Sequence, residues 1–219
     1  MDLKLHSYWR SSAAFRVRIA LNLKQLKHTI IPVDLLKNGG EQKQVAYAQK
    51  NPFQLVPTLE NGAHVLRQSL AIIEYLDEIQ PSPPLLPSLA TDRAWVRALS
   101  LDIACDTHPL NNLRVMKYLH KQLKLSEQEK NDWYAHWISI GLTGVETILE
   151  QSSVSGRFCF GNQVTMADIC LVPQIFNAKA SNLDLSPYPL INGIFDECMQ
   201  LAPFQEASWD AQIDRPHQP

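Results

Sequence analysis

The sequence predicts an α/β domain followed by an all-α domain, and three observations support this prediction. Within the first 80 residues, short β-rich runs alternate with segments whose apolar residues recur at helical spacing. Residues 80–87 then interrupt this pattern, because four of the eight are prolines without an amide hydrogen. From Asp92 onward the chain has long amphipathic segments and almost no alternating run. We therefore expect domains over 1–82 and 88–219, joined by a linker over 83–87.

The composition is that of a globular protein, with 45% hydrophobic and 19% charged residues. Lysine and arginine number 20 against 22 acidic residues, which leaves a formal net charge of −2. No basic excess is available to neutralise a phosphate backbone, so we expect no nucleic-acid partner.

The compartment is predicted from the N-terminus and the cysteines. Arg10 comes before any apolar stretch of signal-peptide length, and no apolar run approaches the ~18 residues that a membrane span needs. The four cysteines are widely spaced and form no CxxC pair. We expect a cytoplasmic protein that does not associate with membranes.

The first domain reads as βαβαββα. We predict strands over 3–6 and 29–33 with a helix over 13–24 between them, then a short helix over 41–50. Two strands over 56–60 and 63–66 flank Asn61-Gly62, a pair typical of tight hairpins. A last helix begins near Ser69, which is well suited as its N-cap. This order is the thioredoxin-like arrangement.

Two helix starts are well marked in the second domain. Ser126 with Glu129 fits a capping box, and Thr165 with Asp168 is a variant of the same motif. Pro173 falls inside the helix that Thr165 begins, so we predict a kink there.

The junction of the first strand and first helix could carry chemistry. Ser11 or Ser12 could be a simple N-cap, or one hydroxyl could cap while the other stabilises a bound thiolate at the positive end of the helix. Arg10 lies in the same loop and could bind a substrate carboxylate with two hydrogen bonds. For Arg16 and Arg18 we favour solvated or ion-paired structural roles.

Two further segments allow a structural and a functional interpretation. Pro57 could mark an edge strand, or a cis Val56-Pro57 bond could turn the Val56 backbone outward to pair with a peptide-like ligand. Gln68-Ser69 could be a plain helix start, or an anion site that holds a carboxylate on free amides.

Metal and nucleophile motifs are missing from the sequence. The seven histidines have no HxxH or HExxH spacing, so we expect no metal site, and no G-x-S-x-G elbow supports a serine triad. We expect the cysteines to be small buried apolar residues.

Taken together, the segments YWRSSAAFRVRIAL, NPFQLVPTL, QSLAIIEYL and TMADICLVPQ resemble the zeta class of glutathione transferases over essentially the whole chain. The resemblance implies a glutathione transferase-like fold, glutathione as the cofactor and a homodimer. It implies that Ser11 faces the glutathione sulfur, with Ser12 beside it and Arg10 near the substrate. The other matching positions would hold glutathione or line the same cleft: Gln42, Val56, Gln68, Ser69, His108 and Asn112, with Arg114 facing an acidic substrate.

Two positions depart from the family's pattern. Ala13 stands where the motif often has cysteine, which removes a thiol there. Ala180 stands where the family usually has an arginine for the substrate carboxylate, and the neighbouring Lys179 would point elsewhere on a helix. These departures bear on the choice of substrate.

The resemblance implies a cis–trans isomerase that converts 4-maleylacetoacetate to 4-fumarylacetoacetate in tyrosine and phenylalanine breakdown. Maleylpyruvate isomerisation and glutathione-dependent dehalogenation of α-halo acids are alternatives within the same class. A non-catalytic binding module is the alternative of another class.

Overall fold

The structure, a computed structural model, describes residues 2–216. Contacts divide the chain into two units at Leu85 and Leu86, and the segment from Gln200 onward belongs with the first unit. The predicted assignment of 88–219 to one domain was therefore wrong at its C-terminal end, where 217–219 lie outside the described residues. The predicted linker is also divided, since its residues up to Leu85 belong to the first unit.

The elements of the first unit are β1 (Leu3–Ser7), α1 (Ser12–Leu23), β2 (His28–Pro32), α2 (Val45–Lys50), β3 (Thr58–Asn61), β4 (His64–Arg67), α3 (Ser69–Ile79) and, near the C-terminus, the short helix Ala202–Ala207. The strands form one sheet of order β2-β1-β3-β4, in which β1 and β2 are parallel and the other neighbours antiparallel. The predicted βαβαββα order and the thioredoxin-like fold are confirmed.

Two helix starts differ from prediction. The helix predicted over 41–50 is broken by the extended backbone of Gln44, which leaves a 3-10 turn at Glu41–Lys43 before α2. Ser69 is the first helical residue of α3, and Gln68 occupies the cap position with a φ of 69°. Ser69 was therefore misassigned by one residue, because a left-handed cap at glutamine leaves no signal in the sequence.

Of the two roles predicted for Arg16 and Arg18, solvated or structural, the solvated one is wrong, because both side chains are structural. Both residues are 2% exposed, because α1 is buried on almost all sides. The Arg16 guanidinium donates to the Ser69 hydroxyl at 3.3 Å. Arg18 donates to the Ala207 carbonyl and the Ser7 hydroxyl, each at 2.9 Å. Arg18 thus links α1 to β1 and to the C-terminal helix Ala202–Ala207 inside the unit.

A third buried cation attaches the start of the linker. The Lys24 ammonium, inaccessible to solvent, lies 2.5 Å from the Asp77 carboxylate and also donates to the Pro83 carbonyl. Asp77 accepts the Leu85 amide at 2.8 Å. These bonds explain why residues up to Leu85 follow the first unit rather than the second.

The second unit is helical, as predicted. Its helices are α4 (Ala90–Leu101), α5 (Leu113–Lys121), α6 (Glu127–Gln151), α7 (Met166–Ala180) and α8 (Pro189–Met199), with a π-helical turn at Asp102–Thr107 and a 3-10 turn at His108–Asn111. The short helix Ala202–Ala207 of the first unit follows α8 in the chain and is α9. Both predicted capping boxes are confirmed, and Pro173 lies within α7.

Three of the four free cysteines are buried, and Cys105 is exposed, contrary to the expectation for that residue. Burial raises the pKa of the Cys159 thiol. Over residues 2–216, no cluster of three or more His, Cys, Asp or Glu side chains could hold a metal ion. No helix in this described part combines the length and the apolar character that crossing a membrane requires.

We predict that the buried capping box of α7 contributes more to stability than the exposed one of α6. Asp168 is fully buried and accepts the Cys159 and Thr165 amides, each at 2.7 Å. Asp168→Ala leaves these donors unpaired and should lower the free energy of unfolding by about 3 kcal/mol. Ser126→Ala, at the exposed box, should cost about 1 kcal/mol. Urea denaturation of both variants measures the difference, and equal losses would contradict the assignment.

We also predict an acid-sensitive ion cluster on the sheet. Glu60 accepts a 2.6 Å hydrogen bond from Lys50 and contacts His6, and these partners hold the pKa of Glu60 below its usual 4.5. A lowered folded-state pKa gives stability that is fully present above the unfolded value of 4.5 and is lost as the pH falls from there through the folded pKa. Glu60→Gln should therefore flatten the fall in stability below about pH 4.5. The exposed Glu78→Gln is the matched control, and an unchanged slope for Glu60→Gln would refute the prediction.

Candidate functional site

One edge of the sheet gathers the N-terminal segments that the sequence singled out. His6, near the end of β1, pairs with Thr58 at the start of β3, which pairs with Arg67 at the end of β4. Since β2 runs parallel to β1, its end lies at this edge as well. The segments that contain Ser11, Gln42, Val56 and Gln68-Ser69 therefore all leave the sheet at the same edge.

Ser11 is the N-cap of α1 and is partly exposed. Its Oγ accepts the Ala14 amide at 3.2 Å, so the predicted capping role is confirmed for Ser11. The hydroxyl hydrogen has no acceptor among residues 2–216 and can donate to a ligand. Ser12, the first residue of α1, is 2% exposed and does not share this access. Capping and donation to a ligand are thus compatible in Ser11.

Arg10 is exposed in the loop just before Ser11. Its guanidinium carbon lies 5.5 Å from the ring centroid of Trp209, a residue of the C-terminal segment. The side chain of Arg10 makes no hydrogen bond or ion pair within residues 2–216. Its in-plane N–H donors are available to a carboxylate.

Gln42 lies in the 3-10 turn that follows β2. Its side chain is buried, yet Oε1 has no hydrogen-bond partner over residues 2–216. Gly40, with a φ of +115°, allows this arrangement, because a Cβ there would stand 2.6 Å from the Gln42 amide. A buried amide oxygen without a partner indicates a position prepared for a donor from a ligand or water.

The backbone of Val56, next to the start of β3, is unpaired among the described residues. The Val56-Pro57 bond is cis, as one of the two sequence interpretations required. Neither the Val56 N–H nor its C=O is hydrogen-bonded within the described range 2–216. The preceding Leu55 carbonyl accepts hydrogen bonds from the Tyr47 hydroxyl and from the side-chain amide of Asn51, each at 2.7 Å.

An apolar cluster joins these segments to one another. Val56 packs with Tyr8 from the loop after β1, Val33 from the end of β2 and Tyr47 from α2. Burial is the largest cause that raises the pKa of Tyr8, so its phenol stays neutral at physiological pH. Apolar contacts of this cluster thus help to hold the segments of Ser11, Gln42 and Val56 together.

The fourth segment begins α3. Ser69 is buried, and its hydroxyl is held by Arg16 of α1. The amides at the start of an 11-residue helix, together with this nearby guanidinium, favour an anion. The sequence interpretation missed Arg16 as a neighbour of this site, since helical spacing does not show that α1 faces Ser69.

The other predicted residues lie in the second unit. His108 begins the 3-10 turn before α5, and its Nε2 is 3.4 Å from the Asn112 side-chain amide. Asn112 caps α5 by accepting the Arg114 amide at 3.1 Å, and the Arg114 side chain is exposed. These three residues form one local group.

Lys179, the residue next to Ala180, does not replace the arginine that the family usually has at position 180. The Lys179 ammonium lies 3.7 Å from the centroid of the Phe195 ring on α8, so this charge is engaged by an aromatic face.

The sequence also missed the C-terminal segment as a neighbour of the Ser11 loop. Trp209 and Asp214 contact the loop, although no periodicity marks them. A tryptophan in a polar terminal stretch was the one available signal.

With this geometry defined, comparison with known proteins identifies the family. Residues 5–84 match the family model described as glutathione S-transferase, N-terminal domain. A probable maleylacetoacetate isomerase of Vibrio cholerae serotype O1 is 47% identical over 98% of this chain and 99% of its own length.

Two solved structures have the same fold. A holo maleylpyruvate isomerase, described as a bacterial zeta-class glutathione S-transferase, superposes with a TM-score of 0.94 at 44% identity, covering 97% of this chain and 100% of that one. The maleylacetoacetate isomerase of Methylobacterium extorquens AM1, solved with malonate and GSH, also gives 0.94, at 36% identity over 98% of this chain and 100% of that one. The chain belongs to the zeta class of glutathione transferases, the family of the maleylacetoacetate isomerases.

Proposed function

We propose that this chain is a glutathione-dependent cis–trans isomerase that converts 4-maleylacetoacetate to 4-fumarylacetoacetate, as in tyrosine and phenylalanine breakdown. One observation supports this most directly: a single sheet edge presents a donor hydroxyl, an unpaired backbone and a helix N-terminus. Glutathione is a peptide with a thiol and carboxylates, so these three features match its three kinds of group. The three similar proteins described above are named as maleylacetoacetate or maleylpyruvate isomerases.

The residues present fit glutathione. The open Val56 N–H and C=O can pair with its peptide backbone in the manner of an added strand. The first amides of α3, with Gln68 and Ser69, can hold the carboxylate of its γ-glutamyl end. The unpartnered Gln42 Oε1 can accept a further N–H. His108 and Asn112, on the second unit, are assigned to glutathione by the family resemblance alone.

When bound, glutathione supplies a thiol whose anion adds reversibly to the cis double bond and so permits rotation. The Ser11 hydroxyl donates a hydrogen bond at the sulfur and lowers the pKa of the thiol. Ser12 is the first residue of α1, and the positive end of this helix favours the thiolate anion. Ser11 can do this without releasing Ala14, because accepting and donating use different parts of the hydroxyl.

Arg10 binds the substrate carboxylate in this proposal. Its exposed guanidinium offers two parallel N–H donors, the geometry that matches a carboxylate. The family resemblance assigns the acidic substrate to Arg114 as well, whose side chain is exposed on the second unit. Lys179 is not assigned a role, since it lies against Phe195.

Maleylpyruvate isomerisation is the second candidate. It is favoured by the 0.94 TM-score and 44% identity to the holo maleylpyruvate isomerase. Both substrates contain a maleyl group conjugated to a ketone, so Ser11 and Arg10 would act identically on them. The choice between them depends on other groups, and the departure that bears on it is Ala180, where the family usually has an arginine for the substrate carboxylate.

The proposal includes a homodimer in the cytoplasm. The family resemblance implies the dimer. The four free thiols, three of them buried, suit a reducing compartment, because no disulfide joins them.

A substrate comparison tests the proposed reaction. We expect the protein to isomerise maleylacetone, a soluble analogue of maleylacetoacetate, only when glutathione is added. Turnover of maleylpyruvate and dichloroacetate, measured in parallel, ranks the alternatives by kcat/KM. Isomerisation without glutathione would refute the mechanism, and the absence of glutathione binding in calorimetry would favour the non-catalytic module.

A second prediction isolates the Ser11 hydroxyl. Ser11→Gly removes the donor while glycine remains an acceptable N-cap, at a stability cost of a few tenths of a kcal/mol. We expect kcat/KM to fall roughly 100-fold, the order observed when one donor to a developing anion is lost. Thiolate absorbance against pH should show a raised pKa of bound glutathione.

The matched variants separate this role from capping. Ser11→Thr retains both functions and should restore most of the activity, whereas Ser12→Ala should have the smaller effect because Ser12 is buried. An unaltered thiol pKa and full turnover in Ser11→Gly would exclude Ser11 as the activating group.

A further inference from the structure

The C-terminal segment makes a specific contact with Arg10, the exposed residue to which we assign the substrate carboxylate. Trp209 stands in a 3-10 turn at Trp209–Ala211 and is 9% exposed, so its ring is part of the packed unit. The Arg10 guanidinium carbon lies 5.5 Å from the centroid of this ring. An otherwise unrestrained surface cation is therefore seated on a fixed aromatic face.

The backbone of the same loop is attached to the same segment. The Trp9 N–H donates to Asp214 Oδ2 at 2.9 Å. The Trp9 ring meets the Trp209 ring nearly edge-on, with centroids 6.2 Å apart and an interplanar angle of 86°. Two contacts of different kinds thus fix the residue that precedes Arg10.

The buried Arg18 hydrogen-bonds to both the Arg10 loop and the C-terminal segment. Arg18 donates through Nε to the Ala207 carbonyl at 2.9 Å and through Nη2 to the Trp9 carbonyl at 3.2 Å. Because Arg18 is 2% exposed, it cannot exchange these partners for water without opening the unit. The loop and the C-terminal segment are therefore linked by hydrogen bonds from this buried side chain as well as by ring contacts.

We propose that Trp209 and Asp214 are positioning residues that hold Arg10 ready for the carboxylate of the substrate. This inference rests on the proposed role of Arg10. A free arginine side chain samples many rotamers, and binding a ligand with it requires that this freedom be lost. Seating the guanidinium on Trp209 removes part of that freedom before the substrate arrives.

The seated guanidinium keeps its hydrogen-bonding capacity. Contact with a ring engages the charge and the face of the group, whereas its N–H donors lie in the plane. Over residues 2–216, Arg10 forms no hydrogen bond or ion pair that a carboxylate would have to displace. The contact therefore favours anionic substrates and gives no advantage to a neutral one.

The test uses the full-length enzyme with maleylacetone, whose carboxylate Arg10 would bind. Trp209→Leu should raise KM roughly fivefold, the size of an exposed cation–π contact. The dissociation constant of glutathione, measured by calorimetry, should be unchanged. Trp209→Phe keeps a ring face and should recover most of the loss. A parallel rise in the glutathione constant would indicate general loosening and overturn the proposal.

Asp214 provides a second, milder probe if Trp209→Leu does not fold. Asp214→Ala removes the acceptor for the Trp9 amide and should raise KM for maleylacetone, whereas Asp214→Asn retains an acceptor and should not. Ile213→Ala is the matched control, since Ile213 is the adjacent residue and 76% exposed. Equal effects of Asp214→Ala and Ile213→Ala would overturn the proposal.

A double-mutant cycle separates this inference from the proposed function. If Trp209 acts through Arg10, adding Trp209→Leu to Arg10→Met should cost nothing further. An Arg10→Met variant with unchanged KM would refute the role of Arg10 itself. If Arg10→Met raises KM but Trp209→Leu does not, the role of Arg10 is supported and the positioning role of Trp209 is refuted.

Discussion

The register of the mixed sheet determines where every group of the N-terminal site lies. The pairing of His6 with Thr58, and of Thr58 with Arg67, sets the ends of β1 and β4 beside the start of β3. A shift of one residue would turn the buried Leu5 and Leu59 toward the opposite face, so packing fixes this register. The polar site is thus positioned by apolar constraints at some distance from it.

Buried cations complete what the sheet begins. Arg16, Arg18 and Lys24 are each almost inaccessible to water, and each is hydrogen-bonded to a group from a different segment. Burial lowers the pKa of Arg18 to about 9, and the guanidinium remains charged at neutral pH. Burying a charge is costly unless it is well hydrogen-bonded, so these residues constrain how the segments can be arranged.

Several groups of the site make a structural contact and also lie where they can bind a ligand. Ser11 caps α1 and still has a hydroxyl hydrogen to donate, and Ser69 begins α3 while it contacts Arg16. Arg10 is exposed to solvent and is nevertheless seated on Trp209. A site built in this way couples the stability of the helix ends to their ability to bind anions, because the same amides and hydroxyls take part in both.

Local patterns in the sequence were sufficient for the element order, the capping boxes and an N-cap at Ser11 or Ser12, and the structure selected Ser11. Local patterns also offered Arg10, Val56 and Gln68-Ser69 as candidates, and the resemblance to a family supplied Gln42, His108, Asn112 and Arg114. Helix α2 was predicted too long because the break at Gln44 has no local signal. Only the tertiary structure decided that Arg18 is buried and that the segment with Trp209 joins the first unit, because both depend on contacts between residues nearly 200 positions apart.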